Sequence, residues 1–268
     1  MENKEQELDF CLLIPCYNNR EGLIRSLSSV KYPPNRFLVL VVDDGSAEPI
    51  NEKEIANQLP VKVLRLEENQ GITSALNTGL RWIEHNLFVK YIARLDCSDT
   101  CDPERFNIQV SYMDAHPGVV LAGSWCLFAD RSSGGSYIYK TPTADRAIRR
   151  AMYYRNVFIH PTVIFRKDAV LRAGLYPTNF ELAEDYALFW KLMSTGLTFV
   201  DRRLLVTTRI DKTGISIKNR GKQLIARQKV VNCYGENPFL KVIAIIRLGI
   251  LFLVPKRLLL PLKNLRGR

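Results

Sequence analysis

Val41-Val42-Asp43-Asp44-Gly45-Ser46 is an apolar strand that runs straight into two carboxylates and a turn glycine. In an open α/β sheet, ligands bind at the carboxyl ends of the strands, which makes Asp43 and Asp44 candidate ligand contacts. The same residues also make an ordinary turn, since Asp and Gly favour its backbone angles. The flanking chain has to weigh the two readings. Before the hexapeptide, residues 10–14 form an apolar run, residues 20–29 a helical pattern, and residues 37–42 the strand itself. After it come a short helix over 52–58, a strand over 61–66, a helix over 72–85 and a strand over 91–95. Strands alternating with helices predict an α/β fold with a mainly parallel central sheet and helices on both faces.

Beyond residue 99 the alternation weakens. Pro103 opens a helix reaching residue 113, and residues 119–128 read as a strand. A Gly-Ser-rich loop over 132–136 leads into a hairpin-like segment. A helix over 143–153, a strand over 162–166 and a helix over 185–194 follow, the last with Leu188, Trp190 and Leu192 among its apolar positions. No repeat is visible and no linker divides residues 8–210, so the expected organisation is a catalytic domain over 1–210 and a basic helical extension over 211–268.

The chain has 268 residues, 47% hydrophobic and 24% charged, enough for one large α/β domain with an appendage and unlike a disordered chain. Its six cysteines, Cys11, Cys16, Cys97, Cys101, Cys126 and Cys233, show no CxxC spacing. That fits reduced thiols better than a disulfide framework and implies no zinc site. Met1 through Leu8 is polar and acidic, unlike a secretory signal, so a cytoplasmic chain is expected.

The net charge of +11 is uneven: residues 1–201 carry 22 basic and 25 acidic side chains, residues 202–268 carry 16 and 2. A basic tail points to an anionic partner surface. From residue 239 to 262 the tail reads FLKVIAIIRLGILFLVPKRLLLPL, aliphatic but interrupted by Lys241, Arg247, Pro255, Lys256 and Arg257. Its uninterrupted apolar stretch, residues 248–254, is far shorter than the roughly 20 residues a spanning helix needs. An amphipathic helix lying in the interface of an anionic membrane suits residues 239–268; a C-terminal helix packed on the main domain is the alternative. Nucleic acid is not expected as a partner, because aliphatic surface outweighs the aromatics that stack on bases.

Four groups of residues at strand or helix ends could carry chemistry. Pro15-Cys16-Tyr17-Asn18-Asn19 follows the first strand, where Tyr17 offers a ring to a base, although Asn there equally caps a helix. Asp43 and Asp44 could accept hydrogen bonds from a pyrimidine imide or ribose hydroxyls. Arg94-Leu95-Asp96-Cys97-Ser98-Asp99 again ends a strand in acids; hard oxygens suit Mg²⁺ or Mn²⁺ bridging a diphosphate, while Asp99 could instead cap the next helix. Glu184-Asp185 opens a helix, where acids are favoured by the helix dipole alone.

Taken together, PCYNN at 15–19, VVDDGS at 41–46, NQGITSALNTGL at 69–80, ARLDCSD at 93–99, PERF at 103–106, HPTVIFRK at 160–167 and AEDYALFWKL at 183–192 resemble an inverting family 2 glycosyltransferase of the Rossmann-like GT-A fold, of the bacterial surface-polysaccharide kind. The resemblance covers roughly residues 8–210. It implies that Pro15, Tyr17, Asn18, Asp43 and Asp44 frame the nucleotide of a sugar donor, with Asp44 facing the base and UDP as the default carrier. It implies further donor contacts from Asn69, Gly71, Arg94, Asp96 and His160. Asp185 becomes the base that deprotonates an acceptor hydroxyl, Glu184 its helper, and Asp96 and Asp99 the candidate metal ligands. One departure matters: the family commonly has Asp-x-Asp-Asp here, whereas this chain has Asp96-Cys97-Ser98-Asp99, and Ser98 is a poor ligand for a divalent cation. Either Asp99 or Asp96 holds Mg²⁺ or Mn²⁺ with water and diphosphate, or metal dependence is weak and basic side chains such as Arg94 share the load.

The expected partners are therefore a nucleotide-sugar donor, a glycan or lipid-linked acceptor, and the inner face of the cell membrane. His160 is equally consistent with a buried or capping histidine. A sugar-nucleotide nucleotidyltransferase shares the alternating sheet but normally has a Gly-rich phosphate loop, of which PCYNNREG is a poor version; a non-catalytic membrane scaffold of the same fold is the third reading. Deleting residues 239–268 is expected to release the chain from membranes and spare activity on a soluble acceptor.

Overall fold

The computed structural model describes residues 7–56, 58–130, 134–210 and 220–253. Four strands, β1 (Leu8–Cys16), β2 (Phe37–Asp43), β3 (Val61–Arg65) and β4 (Val89–Arg94), pair in parallel in the order β3-β2-β1-β4. They are connected by α1 (Arg20–Ser28), α2 (Glu52–Ile55) and α3 (Ile72–Asn86). Parallel strands covered on both faces should be apolar, and the runs Phe10–Ile14 of β1 and Phe37–Val42 of β2 are, whereas the edge strand β3 exposes Lys62 and Arg65. Cys11, Leu13, Leu40 and Val42 face one core with α3, while Phe10, Leu12, Ile14, Val39 and Val41 face a second core with α1.

Past β4 the sheet becomes mixed. After β5 (Thr100–Cys101) and α4 (Arg105–Ala115) come β6 (Val119–Asp130), β7 (Ser136–Tyr139), α5 (Asp145–Met152), a 3-10 turn (His160–Thr162) and β8 (Ile164–Arg166). The chain continues through α6 (Lys167–Ala173), α7 (Glu184–Met193) and β9 (Leu197–Ile210). β8 lies antiparallel between β4 and β6, and β6 pairs in parallel with β9.

β9 is absent from the sequence reading for a definite reason: Asp201-Arg202-Arg203 interrupts its apolar run. The register jumps from Ser124 opposite Asp201 to Trp125 opposite Leu204, so both arginines are bulged out to solvent. A bulge admits extra residues without ending the pairing.

Two helices follow, α8 (Arg220–Tyr234) and α9 (Pro238–Leu253). α8 buries Val230 and Val231, and Tyr234 packs its ring 5.7 Å from Phe180. The turn between them is fixed by Tyr153, whose hydroxyl accepts from Glu236 N and Asn237 N, each at 3.0 Å. The two sides of α9 differ. The inner side of α9 buries Ala244, and Arg247 donates to the Tyr154 carbonyl. Its outer side exposes Phe239, Val242, Ile245, Ile246 and Ile250, a stripe at helical spacing. No helix among the described residues is long and apolar enough to cross a membrane; Pro255, Lys256 and Arg257 lie outside the described residues.

Candidate active site

Asp43 and Asp44, adjacent in sequence, do different work. Asp43 is the last residue of β2 and fully buried; its carboxylate accepts from Ser46 N (3.0 Å) and Ile50 N (3.3 Å) and pairs with Arg65 Nη1 at 2.6 Å. It closes the turn that follows the strand. Gly45 fits that turn because its φ is +70° and a Cβ would lie 2.4 Å from the Glu68 carbonyl carbon. Asp44 reaches across to the start of α3, accepting from Asn69 Nδ2 (3.1 Å), Gln70 N (2.9 Å) and Gly71 N (3.0 Å). Asn69 and Gly71, expected at the donor, are thus tied to Asp44 itself.

The β1 end lies beside this clasp. Asn18, at φ 49°, donates from its backbone N to Ser46 Oγ (2.9 Å), and its Oδ1 accepts from Ala47 N (2.8 Å). That leaves Tyr17 pushed outward, 49% exposed beside half-buried Pro15. Asn19 caps α1 through Gly22 N (3.1 Å) and donates to Ser98 Oγ (3.3 Å). Ser98 therefore serves the α1–β4 junction.

Arg94, at the end of β4, has no solvent exposure and cannot itself meet a ligand. It donates to the carbonyls of Leu13 and Leu95, to Asp96 Oδ1 at 2.7 Å and to His160 Nε2 at 3.2 Å. Its guanidinium fixes Asp96, which remains partly open. His160 Nε2 also accepts from the Tyr176 hydroxyl at 2.8 Å. Burial first, and the Arg94 charge second, push the imidazole down to about 4, so it is neutral at physiological pH. The charges of Asp96 and Asp185 act on the same ring in the opposite sense; the ring also lies 6.1 Å from Phe189 of α7, so β4, the 3-10 turn and α7 meet at this histidine.

Asp99 departs from expectation. It is 4% exposed and turned away from Asp96 toward β9, accepting from Thr208 Oγ1 (3.1 Å) and Arg209 N (3.2 Å). Burial, reinforced by the Asp96 charge, raises it to about 8, and both of its oxygens are already engaged, by Thr208 and by Arg209, which makes Asp96 the better placed of the two for a cation. No group of three or more His, Cys, Asp or Glu side chains converges as a metal cage among the described residues. The donor set still fits one kind of ion: Mg²⁺ is commonly held by one or two carboxylates plus substrate phosphates, and Asp96 keeps an oxygen that Arg94 does not occupy. Asp96→Asn should thus reduce donor turnover by at least about tenfold, whereas Asp99→Asn should leave it near the parent value. Assays of the two variants at saturating Mg²⁺ check this, and equal losses would restore Asp99 as a ligand.

Glu184 and Asp185 occupy the first turn of α7. Asp185 Oδ1 accepts from Tyr186 N at 2.6 Å and Oδ2 from Asn156 Nδ2 at 2.9 Å. Burial, then the neighbouring Asp185 charge, raises Glu184 from 4.5 to about 7. Between those pH values the folded chain holds a proton that the unfolded chain has released, so stability falls as pH rises through the window and the full cost stands above it. Glu184→Gln removes a cost on the order of 2–3 kcal/mol. Its Tm should rise by several degrees at pH 8 and hardly change at pH 4; equal shifts at both would contradict the burial of this acid.

Sequence reasoning missed four residues that hold the cluster. Asn77, buried on α3, clamps Tyr176 N and O at 2.9 Å each. Arg105, fully buried, donates to the Arg94 carbonyl at 2.8 Å. Asn77 and Arg105 had a signal, as polar residues inside the NTGL and PERF stretches; Tyr176 and Asn156 had none.

An α/β sheet with such acids along its carboxyl edge has the GT-A fold of nucleotide-sugar-dependent glycosyltransferases. The sequence model named Glycosyl transferase family 2 matches residues 11–173, and the chain belongs to that family. It is 37% identical over 196 residues to the amylovoran biosynthesis glycosyltransferase AmsE of Erwinia amylovora, covering 70% of each chain. It is 31% identical over 187 residues to an Escherichia coli UDP-Gal:alpha-D-GlcNAc-diphosphoundecaprenol beta-1,3-galactosyltransferase, covering 68% of this chain and 66% of that one. Among solved structures, S. aureus TarS 1–349 superposes with a TM-score of 0.67 at 18% identity, over 90% of this chain and 70% of TarS 1–349. The mannosyltransferase PcManGT of Pyrobaculum calidifontis, solved with GDP-Man and Mn²⁺, gives 0.66 at 17% identity, over 91% and 70%.

Proposed function

We propose that the chain transfers a sugar, with inversion, from a UDP-linked donor to a hydroxyl of a lipid-linked or membrane-proximal glycan in bacterial surface-polysaccharide synthesis. The observation that carries this is that His160 joins the two sides: Arg94, which holds Asp96 at 2.7 Å, donates to its Nε2 at 3.2 Å, and its ring lies 6.1 Å from Phe189 of α7, the helix whose first turn holds Asp185. One carboxylate thus serves the donor side and one the acceptor side. The names of the amylovoran and galactosyltransferase relatives support the substrate class. Asp185 takes the acceptor proton as the acceptor oxygen bonds to the anomeric carbon. The bond from that carbon to the diphosphate oxygen breaks on the opposite face, and UDP leaves. General-base help contributes about 10²–10⁴-fold. Tyr17 stacks on the base, and Asp44 holds the loop beside it. Asp96 would hold Mg²⁺ or Mn²⁺, which supplies neutralisation of charge on the diphosphate; Glu184 helps to place the acceptor.

Membrane attachment through residues 239–268 at the inner face belongs to the same reading, supported by the outward apolar stripe of α9 and by exposed Lys222 and Lys229 on α8. The chain should sediment with phosphatidylglycerol vesicles more than with phosphatidylcholine vesicles, and Val242→Ser with Ile246→Ser should weaken that; equal sedimentation on both lipids would remove the anionic surface as partner. For the reaction, the test is nucleoside diphosphate release from a panel of nucleotide sugars with a polyprenyl-diphosphate sugar as acceptor. Acceptor-dependent UDP release and an inverted linkage by NMR are expected, and a retained linkage would overturn the mechanism.

A further inference from the structure

We propose that Asn156 is the positioning residue for Asp185, an inference that rests on reading Asp185 as the base. Asn156 is 7% exposed, and its Nδ2 donates to Asp185 Oδ2 at 2.9 Å. The amide orientation is dictated by charge, since its oxygen would be repelled by the carboxylate. Oδ1 therefore points away, and it is buried with no hydrogen-bond partner. A buried unpaired oxygen is a net cost to folding, which an apolar side chain of the same size would avoid. The N–H held against Asp185 accounts for an amide at this position.

The support behind Asn156 is independent of Asp185. Its carbonyl accepts from the Tyr139 hydroxyl at 3.2 Å, and the Arg155 guanidinium lies over the Tyr139 ring, 5.5 Å from its centroid. Next in the chain, Val157 and Phe158 are buried, and Val157 N donates to Met152 Sδ at 3.4 Å. A side chain on so fixed a backbone can hold a carboxylate in one rotamer. With Tyr186 N on Oδ1 and Asn156 on Oδ2, each carboxylate oxygen has one direction taken and another left for an acceptor hydroxyl. Small displacements of a reacting group cost large factors in rate, so freeing this carboxylate should be felt in turnover.

Asn156→Leu separates this role from a merely structural one. It removes both the N–H and the unpaired oxygen, so Tm should stay level or rise while kcat falls about 10–100-fold and the donor KM stays within about twofold of the parent. Asn156→Gln, which keeps an N–H, should recover part of kcat, and Asn156→Leu added to Asp185→Asn should cause no further loss. Should the leucine variant not fold, Asn156→Ala, which also lacks a donor, provides the same comparison. Parental kcat in a folded Asn156→Leu or Asn156→Ala, with Asp185→Asn inactive, overturns the proposal and leaves the base reading intact. Parental kcat in Asp185→Asn overturns the base reading and this role together.

Discussion

Asp185→Asn is expected to lower kcat by about 10²–10⁴-fold, the range for losing a general base, while UDP binding stays at the parent level. The substitution keeps size and can still accept from Tyr186 N, which in the parent reaches Asp185 Oδ1 at 2.6 Å. What it loses is basicity. Stopped turnover with unchanged UDP titration and unchanged Tm separates a chemical defect from a folding one. Undisturbed turnover would remove Asp185 as the base.

Arg94→Met should have the largest effect on stability. It fills the space of the aliphatic stem but takes the guanidinium donor from the Leu13 and Leu95 carbonyls, Asp96 Oδ1 and His160 Nε2. Removing one partner of a buried ion pair costs about 3–5 kcal/mol, which in a chain of this size lowers Tm on the order of 10 °C. Donor affinity should fall as well, because Asp96 loses the contact that aims it. Arg94→Lys should rescue little, since one ammonium cannot replace a planar fork serving four acceptors. An unchanged melting temperature would mean that the buried guanidinium is not the keystone of the cluster.

The parallel half of the sheet was legible because its central runs, Phe10–Ile14 and Phe37–Val42, are apolar without interruption, and turn residues punctuate the strands. VVDDGS located the edge for the same reason. β9 was not legible, because Asp201-Arg202-Arg203 breaks the pattern and only the β6 partner shows it to be a bulge. The antiparallel insertion of β8 depends on long-range pairing that no local pattern encodes. At the site, sequence placed Tyr17, Asp96, His160, Glu184 and Asp185 near a common edge, but it could not distinguish acids that face a ligand from acids that hold the scaffold. Asp43 and Asp99 proved to be inward acids, and Arg94 an inward cation. That difference lies in the direction of a side chain, which is set by partners such as Arg65 and Thr208 far away in the chain.

The short turn at residues 153–156 has two clients. Tyr153 and Tyr154 hold the start and the middle of α9, and two residues later Asn156 holds Asp185. Removing residues 239–268 would therefore take Arg247 from the Tyr154 carbonyl as well as the apolar stripe from the chain, so a truncated protein confounds attachment with turnover. The same linkage puts α9 within reach of the chemistry: from the Tyr154 carbonyl that Arg247 meets, it is two residues of backbone to the Asn156 amide on the carboxylate at the head of α7.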